Sequence, residues 1–457
     1  MRLGLLFFCG NEGAEMNSKE MKFKTVLTRY MIPQMVGLVI NSTYFIVDGI
    51  FVGRRLGTDA LAAVGVSVPI VEVMIAISML IAAGSGVMIA SSYGKGMHQF
   101  ARDIFNLSVM IAVIFSFFVV AAGNIFLMPL SHLLGANDVI LEDTMTYLRY
   151  FITFSPFLVF SFLFSTHARN DGRPKLAMWA LVIGSGCNIL LDYIFMYPFN
   201  MGIAGAGLAT GLGSLFSALI LLPHYLSKRG NLYFEIPILK KESIYRILVN
   251  GTPAFISEFS IGLVTLLYNL AIVHNGLGEK GLAAYVIIGY ASLICLSVFI
   301  GASQGIQPVI GYFSGAEESL KIKELFKKST ILLILLGSIL YFILMIGGES
   351  FFQIFVKEDQ ALLAYTGGIM ALYFINLPFA AVNILVISIL QSMEQIKASL
   401  LIAVFRSSLA VMLFLIVLPV FLGENGVWVA ATFGEIVTLL IILRIWQKRD
   451  RKERVIR

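Results

Sequence analysis

The stretch IFNLSVMIAVIFSFFVVAAGNIFLM, residues 104–128, decides the fold class of this chain. Its 25 residues contain no Asp, Glu, Lys or Arg. An α-helix that rises about 1.5 Å per residue needs about 20 apolar residues to cross a hydrocarbon core of about 30 Å. The stretch also lacks the regular alternation of apolar and polar residues that is typical of a lipid-facing barrel strand. It therefore predicts a membrane-spanning α-helix.

Runs of the same kind recur along the whole chain and predict twelve spans. They lie near 28–53, 60–92, 104–128, 144–165, 174–198, 203–226, 248–274, 281–312, 328–347, 364–390, 398–422 and 427–446. The composition agrees, because 58% of the residues are hydrophobic, 13% are charged and the mean hydropathy is +0.88. Soluble domains contain about 45–50% apolar and about 25% charged residues. We therefore predict an all-α integral membrane protein that contacts the lipid bilayer.

The positive charges predict the orientation of the chain in the membrane. The net charge of +6 does not indicate nucleic-acid binding, because the charges fall in short clusters between apolar runs and in a basic C-terminal tail. The opposite loops carry only Arg54, Arg55, Lys280 and Lys357 as cations. The positive-inside rule therefore places both termini in the cytoplasm. The basic set comprises Lys95, Arg102, Arg169, Arg173, Lys175, Lys228, Arg229, Lys240, Lys241, Arg246, Lys321, Lys323, Lys327, Lys328 and Lys397.

The sequence contains no pattern typical of a catalytic or cofactor site. Three cysteines, Cys9, Cys187 and Cys295, are too few and too scattered for a disulfide framework or a zinc cluster. The five histidines are dispersed without HExxH spacing, and there is no P-loop. We expect no cofactor, no enzymatic activity and no ATP-driven pumping.

The two halves of the chain repeat at a nearly constant offset. Leu56-Gly57 and Leu61-Ala62-Ala63 recur as Leu277-Gly278 and Leu282-Ala283-Ala284, 221 residues later. Unrelated apolar sequence does not stay in register in this way. Each half holds six spans, an even number, so the halves are predicted to be parallel repeats related by an axis along the membrane normal. Offsets between 219 and 222 also relate Pro33 to Pro253, Gly86 to Gly305, Tyr93 to Tyr312, Gly96 to Gly315, Pro156-Phe157 to Pro378-Phe379, Gly202 to Gly423 and Gly205 to Gly426.

This repeat predicts two pseudo-symmetric six-helix lobes that rock about a central cavity. The predicted parts are an N-terminal cytoplasmic extension (1–27), an N-lobe (28–226), a cytoplasmic linker between the lobes (227–247), a C-lobe (248–446) and a basic cytoplasmic tail (447–457).

Acidic residues inside the predicted spans are the candidates for function, because a charge in the membrane is costly. Asp48 lies deep in the first span, and Asp192 follows Asn188 by four residues in the fifth, so the latter two share one helical face. Thr210 follows across a glycine-rich turn and can return to the same depth. Two carboxylates, an amide and a hydroxyl supply the hard oxygen ligands that Na⁺ prefers. A proton is the rival occupant, and a structural polar network that joins helices is the alternative.

Three other acids are weaker candidates. Glu258, five residues after Pro253, could attract a cationic substrate or belong to a second ion route, and a satisfied pairing within the helices is the alternative. Glu72 and Glu435 follow. For Arg406 and Arg149 we expect that they neutralise a neighbouring acid or extend to the membrane interface.

The duplicated sequence differs between its halves at the candidate cation site. At an offset of 221 the partners of Asn188 and Asp192 are Leu409 and Leu413. We therefore expect the site in one half only. The 36 Phe, 19 Met and 17 Tyr residues mostly face lipid or fill the interior, and a few of them in a cavity would suit flat organic cations.

Across residues 28–447 these features resemble the multidrug and toxin extrusion (MATE) family of bacterial cation-coupled efflux transporters. The matching residues are Asp48 with Pro33 fifteen residues before it, LGTDALAAVG at 56–65, NDGRPKLAM at 170–178, NILLD at 188–192, GIAGAGLAT at 202–210, and Pro253 with Glu258. The resemblance implies two six-helix lobes in a V, alternating access, and export of organic cations against inward flow of Na⁺ or H⁺ across the bacterial cytoplasmic membrane. We expect a monomer.

The resemblance also implies roles for individual residues. Asp48, Asn188, Asp192 and Thr210 match the family's N-lobe cation site, and Glu258 matches the seventh-span acid of its C-lobe site. Pro33 is the expected hinge, since it lacks an amide hydrogen. Some members carry an acid in the tenth span, whereas 364–390 holds none. This difference favours coupling through the N-lobe.

Three other functions compete with this one. A lipid-linked oligosaccharide flippase of the same superfamily would line its cavity with basic residues, whereas acids occupy the deep spans here. A membrane-embedded enzyme would need a cluster of His or Asp residues facing water. A channel does not require the proline-interrupted duplicated spans.

The orientation is testable with reporter fusions. We expect fusions at positions 235 and 325 to report a cytoplasmic location, and fusions at 138 and 355 an external one, because the basic loops remain in the cytoplasm. Opposite signals at any two of these positions would contradict the span assignment.

Overall fold

The structure, a computed structural model, describes residues 21–228, 230–352 and 360–455. Within these ranges the chain forms helices and no strand. Twelve of the helices are long and apolar enough to cross a membrane. The predicted all-α class and the twelve spans are therefore confirmed.

The twelve long helices follow one another with short connections. In the first half they are α1 (Phe23–Leu56), α2 (Thr58–Gly94), α3 (His98–Ile125), α4 (Leu141–Asn170), α5 (Pro174–Met196) and α6 (Ile203–Leu226), with a short helix Leu127–Leu133 before α4. In the second half they are α7 (Lys241–His274), α8 (Gly278–Gly315), α9 (Ser319–Phe352), α10 (Gln360–Tyr373 and Leu377–Ser392, joined by the 3₁₀ turn Phe374–Asn376), α11 (Ile396–Leu422) and α12 (Glu424–Val455).

Several helices extend beyond the apolar runs that predicted them. α1 begins at Phe23 rather than at 28, α7 at Lys241 rather than at 248, and α12 continues to Val455. The reason is that an apolar run marks the part of a helix that crosses hydrocarbon, whereas polar turns continue the same backbone ladder into water. Of the predicted N-terminal extension, residues 1–20 lie outside the described residues, as does position 355.

The chain divides into two compact units that differ in extent from the predicted lobes. Unit 1 comprises the chain up to Glu258 together with Gly301–Ile322 and Gln391–Glu394. Unit 2 comprises Phe259–Ile300, Lys323–Leu390 and the chain from Gln395 onward. The unit boundaries therefore fall inside α7, α8 and α9 and at the end of α10. The lobe boundaries near 227 and 247 remain a prediction.

In unit 1, α6 packs against α4 and α5, α4 against α2 and α3, and α1 against α5. In unit 2 the main contacts join α12 to α11 and to α10. The interiors hold large side chains that water does not reach, such as Tyr225 and Phe105 in unit 1 and Trp428 and Tyr268 in unit 2. The helices thus enclose polar positions within apolar surroundings, where an unpaired charge is costly.

The backbone preserves the repeat that the sequence predicted. Gly202, before α6, has φ 60° and ψ −143°, and Gly423, after α11, has φ 58° and ψ −141°. A residue with a side chain rarely adopts this positive φ, so glycine is required at both turns. The two matched glycines therefore make the same turn in the two halves.

The first helix is irregular at its proline. Leu27–Met31 forms a π-helical turn, and the regular α-helix resumes at Ile32, directly before the buried Pro33. Proline removes one hydrogen bond of the ladder and crowds the preceding turn, and a π-turn is one way in which a helix accommodates that change. Pro33 as a hinge remains a prediction.

Asp171 fixes the connection between α6 and α7. Its Oδ1 accepts hydrogen bonds from Tyr93 Oη at 3.1 Å and from the amide of Asn231 at 3.0 Å, and its Oδ2 accepts one from His224 Nε2 at 2.8 Å. A Cβ on Gly230 would collide with Oδ2 of Asp171, so a side chain there would displace the Asp171 carboxylate from its hydrogen bonds. This gives a structural reason for Asp171 in the NDGRPKLAM segment.

Aromatic packing supports the same connection. Phe234 lies 5.6 Å from Phe105 and 6.2 Å from both Phe164 and Tyr225, measured between ring centroids. Asn106 receives the amide of Glu235 at 2.9 Å and donates to the carbonyl of Tyr233 at 3.1 Å. The connection is thus a packed part of unit 1 rather than a free tether.

We predict that Asp171→Asn loosens this connection. The amide nitrogen cannot accept the hydrogen bond of His224, and the loss of a charge-assisted bond costs about 1.5–3 kcal/mol. We expect trypsin to cleave at Lys228, Lys240 and Lys241 about tenfold faster or more in this variant. Glu235→Gln is the control, because its pair with Arg102 is partly exposed and contributes little. Equal cleavage rates in wild type and Asp171→Asn would contradict the proposed role.

Candidate functional site

Two acidic side chains lie together in the interior of unit 1. Asp48 of α1 is 6% exposed and Asp192 of α5 is 0% exposed, and their carboxyl groups lie within hydrogen-bonding range of each other. Within the described residues, Oδ1 of Asp48 and both oxygens of Asp192 accept no hydrogen bond from a protein donor. No lysine, arginine or histidine in that part of the chain pairs with either group. Among the described residues the pair therefore has no protein countercharge.

Neutral oxygen donors surround the carboxyl pair. The hydroxyl of Thr210 on α6 donates to the carbonyl of Ala206 at 3.1 Å and lies beside Tyr147 of α4. Tyr147 lies within electrostatic reach of both carboxyl groups. Asn188, one turn before Asp192, is 2% exposed, and its Oδ1 and Nδ2 have no partner among the described residues. The structure thus brings together the four predicted residues from three helices and adds a tyrosine from a fourth.

The close approach of α5 and α6 depends on glycine. A Cβ added to Gly213 would lie 2.8 Å from Cβ of Asn188 and 2.9 Å from the carbonyl oxygen of Gly184. Any side chain there would push the two helices apart. Glycine at these two positions therefore lets Asn188 of α5 and Thr210 of α6 line the same space.

That space is a small cavity of about 40 Å³. Its lining residues Tyr44 and Asn188 stand one helical turn before Asp48 and Asp192, so the cavity lies next to the carboxyl pair. Its wall combines hydroxyl and amide groups with a few aromatic rings. Ser161 donates to Ser217 at 2.8 Å, and Ser185 to Oδ1 of Asn41 at 3.5 Å. The cavity offers polar partners for an ion or for water. Its lining residues are Asn41, Tyr44, Phe45, Ile75, Leu158, Ser161, Phe162, Leu181, Gly184, Ser185, Asn188, Thr210, Gly213, Ser214 and Ser217.

The donor set suits a small hard cation or a proton. Within the described chain there is no group of three or more His, Cys, Asp and Glu residues that could hold a metal ion, so a transition-metal site is not indicated. Two carboxyl groups with the oxygens of Asn188 and Thr210 are the ligand type of Na⁺. Two carboxylates this close repel each other in a low-dielectric interior, and binding of either cation removes that repulsion.

Glu258 does not belong to this cluster. Its electrostatic neighbour in unit 1 is Glu72, and Glu72 is in turn within reach of Tyr44. Both glutamates are partly buried. The structure thus places two further acids near each other, apart from the pair formed by Asp48 and Asp192.

A second buried polar cluster of unit 1 contains Arg169 at the end of α4. Its guanidinium donates to Gln34 Oε1 at 3.2 Å and to the hydroxyls of Ser165 and Thr166 at 2.9 Å each. Gln34 in turn donates to Oε1 of Gln304 at 3.0 Å. Arg169 is 3% exposed, and among the described residues all its hydrogen-bond partners are neutral.

In unit 2 the acidic side chain of Glu435 takes part in an ion pair. Glu435 of α12 accepts two bonds from Arg406 of α11, Nη2 to Oε1 at 2.7 Å and Nε to Oε2 at 3.0 Å. Asn383 of α10 donates to Oε2 at 2.7 Å and to the carbonyl of Glu435 at 2.9 Å. The expectation that Arg406 neutralises a neighbouring acid is confirmed.

The residues of unit 2 that correspond to Asn188 and Asp192 are not the predicted Leu409 and Leu413. Leu409 and Leu413 are 54% and 51% exposed, so they do not face the interior of unit 2. A π-helical turn, Phe405–Leu409, widens α11 there and rotates the residues that follow. A Cβ built on Gly434 would lie 3.5 Å from the Cβ of Ala410. Ala410 thus lies against Gly434 as Asn188 lies against Gly213. The partner of Asn188 is therefore Ala410, and the position remains apolar.

The sequence analysis missed two tyrosines of the site. Tyr44 precedes Asp48 by four residues and so shares its helical face, a spacing that could have identified it. Tyr147 lies on α4, and no sequence pattern connects it with Asp48, Asp192 or Thr210. Only the packing of α4 against α6 brings it there.

The fold and the site together define a twelve-helix integral membrane protein with a buried, uncompensated carboxyl pair. The family model described as MatE matches residues 33–194 and 253–416, one match in each half of the chain. The chain therefore belongs to the MatE family, whose members are membrane transporters.

Curated relatives and solved structures agree with this assignment. The Multidrug export protein MepA of Staphylococcus saprophyticus is 22% identical over 442 residues, which cover 95% of each chain. The MepA of Staphylococcus aureus is 22% identical over 435 residues, 94% of each chain. A structure described as the outward-facing conformation of a multidrug resistance MATE family transporter superimposes with a TM-score of 0.89 at 22% identity, over 94% of this chain and 96% of that one. A MATE structure in the bent conformation gives 0.85 at 22% identity, with the same coverage.

Proposed function

We propose that this protein exports hydrophobic organic cations from the cell in exchange for an inward-moving cation, Na⁺ or H⁺, by alternating access. The observation that supports coupling is the pair of Asp48 and Asp192, which is buried without a protein countercharge among the described residues. Such a pair is stable only when an external cation or a proton joins it. The relatives named above as multidrug exporters support the direction and the substrate class.

The proposed mechanism starts with neutralisation of the carboxyl pair. Asp48 and Asp192 belong to α1 and α5, so a bound cation draws these helices together, and its loss lets them separate. The π-turn next to Pro33 supplies the point at which α1 bends, because its hydrogen-bond ladder is already interrupted there. Bending of α1 changes the cavity that Asn41, Tyr44 and Phe45 of the same helix line. In a conformation in which that cavity is wide enough for a substrate, cation binding would thereby displace the substrate from it.

The cavity wall supports recognition of organic cations. Tyr44 and Phe45 are stacked with their ring centroids 4.2 Å apart, and both line the cavity together with Phe162. Aromatic faces attract cations by about 0.5–2 kcal/mol, more where water is excluded. Substrate and coupling cation would then compete for the same negative region, which is the requirement for exchange.

The alternative is a lipid-linked oligosaccharide flippase. One observation favours it, the buried Arg169 with only neutral partners in the described chain. The partly buried guanidinium of Arg406 is already paired with Glu435. The acids beside the unit 1 cavity would repel a pyrophosphate, and for this reason we favour cation export.

We predict that Asp48→Asn and Asp192→Asn each abolish gradient-driven efflux, because each removes one charge of the pair that needs the coupling cation. Thr210→Ala should cost about 1 kcal/mol, roughly fivefold in cation affinity, since it removes one neutral ligand. The measurement is efflux of a cationic dye from cells, and from proteoliposomes with sodium and proton gradients imposed separately.

Asp138→Asn is the matched control, because Asp138 is exposed in a loop, and it should transport normally. Normal efflux by both Asn variants, with unchanged sodium and pH dependence, would show that this pair is not the coupling site. Unchanged dye accumulation together with movement of a lipid-linked sugar would establish the flippase instead.

A separate prediction concerns Glu258. If its charge attracts cationic substrate, Glu258→Gln should reduce transport of cations by about tenfold and of zwitterions by much less, because one charge-assisted interaction contributes about 1.5–3 kcal/mol. Transport rates for a matched cationic and zwitterionic pair of compounds measure the difference. An equal loss for both compounds would indicate a role in coupling or in folding.

A further inference from the structure

Unit 2 contains a region that corresponds to the cavity of unit 1. The contact of Ala410 with Gly434 matches that of Asn188 with Gly213 and fixes the register after the π-helical turn of α11. Arg406 lies inside that turn, four residues before Ala410, and Gly184 lies four residues before Asn188 in a regular helix. Because the turn holds an extra residue, Arg406 stands within one residue of the position that Gly184 occupies in unit 1.

Two more positions follow from the same repeat. Glu435 directly follows Gly434, as Ser214 follows Gly213. Asn383 stands five residues after Pro378, as Ser161 stands five residues after Pro156. The unit 1 residues Gly184, Ser214 and Ser161 all line the cavity of about 40 Å³. Their unit 2 counterparts are the three residues of the ion-pair cluster.

The two regions thus differ in what the corresponding backbone positions carry. In unit 1 a glycine and two serines leave space next to two carboxyl groups that have no protein countercharge. In unit 2 an arginine, a glutamate and an asparagine stand there, joined by contacts of 2.7–3.0 Å. The charge of Glu435 is balanced by a guanidinium that is part of the chain.

The remaining cation ligands of unit 1 are also replaced. Tyr268 stands fifteen residues after Pro253, as Asp48 stands fifteen residues after Pro33. Tyr268 is 0% exposed, and its hydroxyl accepts the backbone amide of Ala431 at 3.1 Å. Ala431 in turn follows Gly426 by five residues, as Thr210 follows Gly205. Neutral residues therefore stand at the positions of Asp48 and Thr210.

We propose that the guanidinium of Arg406 is a tethered substitute for the coupling cation, which holds unit 2 permanently in a cation-occupied form. The bidentate fork supplies the positive charge to Glu435 that only an exchangeable ion can supply to Asp48 and Asp192. Unit 2 then makes no cation-dependent change during transport, and the coupling cations per cycle are those that unit 1 binds. The stated number of coupling cations per cycle rests on the proposed function, whereas the labelling test below does not depend on it.

If this inference holds, Glu435 is a cation site that the Arg406 guanidinium occupies in the wild type. Removal of the guanidinium leaves a carboxyl group whose side chain is only 12% exposed. It lies beside buried Asn383, whose amide oxygen has no partner among the described residues. Such a carboxyl group must take up a proton or a free cation. Arg406→Ser should therefore create a cation-binding site where none exists in the wild type.

The test is residue-specific labelling with a hydrophobic carbodiimide, which adds to buried carboxyl groups in their protonated form, followed by peptide mass spectrometry. In purified full-length protein we expect Glu435 to be labelled about tenfold more or higher in Arg406→Ser than in the wild type, and sodium to reduce that labelling. Arg406→Lys keeps the positive charge and should leave Glu435 protected. These outcomes support the tethered cation.

Two further variants serve as controls for structure and exposure. Arg246→Ser breaks the pair with Glu394, whose side chain is 26% exposed, so Glu394 stays solvated and its labelling should not change. Arg406→Ser/Glu435→Ser restores the small residues of unit 1 and should elute as a folded, monodisperse protein. A misfolded single variant beside a folded double variant would itself show that Glu435 needs the cation.

Three results would overturn the inference. They are labelling of Glu435 in the wild type equal to that in Arg406→Ser, no labelling in a folded Arg406→Ser, and equal labelling in Arg406→Lys and Arg406→Ser. None of these measurements involves substrate or a gradient. Failure of this inference is therefore distinguishable from failure of the proposed function, which the efflux of the Asp48 and Asp192 variants decides.

Discussion

Two carboxyl groups enclosed by helices, with no cation of the protein against them in the described chain, are the constraint on which this molecule depends. A membrane interior offers no water to solvate Asp48 and Asp192, so their charge must be balanced by whatever enters. The close approach of α5 and α6 at Gly184 and Gly213 provides the space for that partner. The chemistry of the site therefore depends on the helix packing, because a side chain at either glycine would separate the candidate ligands.

The two halves of the chain balance an acidic charge within the membrane spans in different ways. The turn at Gly202 and the turn at Gly423 have the same backbone angles, so the repeat is retained at the level of the main chain. The side chains have diverged from neutral cavity walls in unit 1 to an ion pair in unit 2. A transporter needs an exchangeable charge only where it couples, and elsewhere a buried charge is tolerated when it is paired and hydrogen-bonded.

Polar networks also fix the ends of the helices in unit 1. Asp171 joins α4, α6 and the connection that follows α6 through four hydrogen bonds. Arg169, two residues earlier, joins α4 to Gln34 of α1, which reaches Gln304 of α8. The NDGRPKLAM segment thus begins directly after Arg169, which forms the first junction, and contains Asp171, which forms the second. Both junctions use groups that would be costly if left unpaired, and this makes them specific.

The sequence by itself determined the membrane class and the number of membrane-spanning helices, and it predicted four residues of the candidate site. Length and lack of charge in runs such as 104–128 allow only a spanning helix, because every backbone group must be satisfied within the segment. Asp48 and Asp192 were identifiable for the related reason that a carboxyl group in such a run is costly unless it has a function. Spacing along one helix could also have identified Tyr44.

Only the tertiary structure decided which groups from different helices meet. Tyr147 joins the site because α4 packs on α6, and Arg406 pairs with Glu435 because a π-turn changes the face that α11 presents. That turn also makes Ala410, rather than Leu409, the counterpart of Asn188. Sequence spacing defines faces only for a regular helix, and a single π-turn shifts every later residue by a fraction of a turn. Contacts between helices depend on such shifts and on glycines that allow close approach, and neither is encoded in hydropathy.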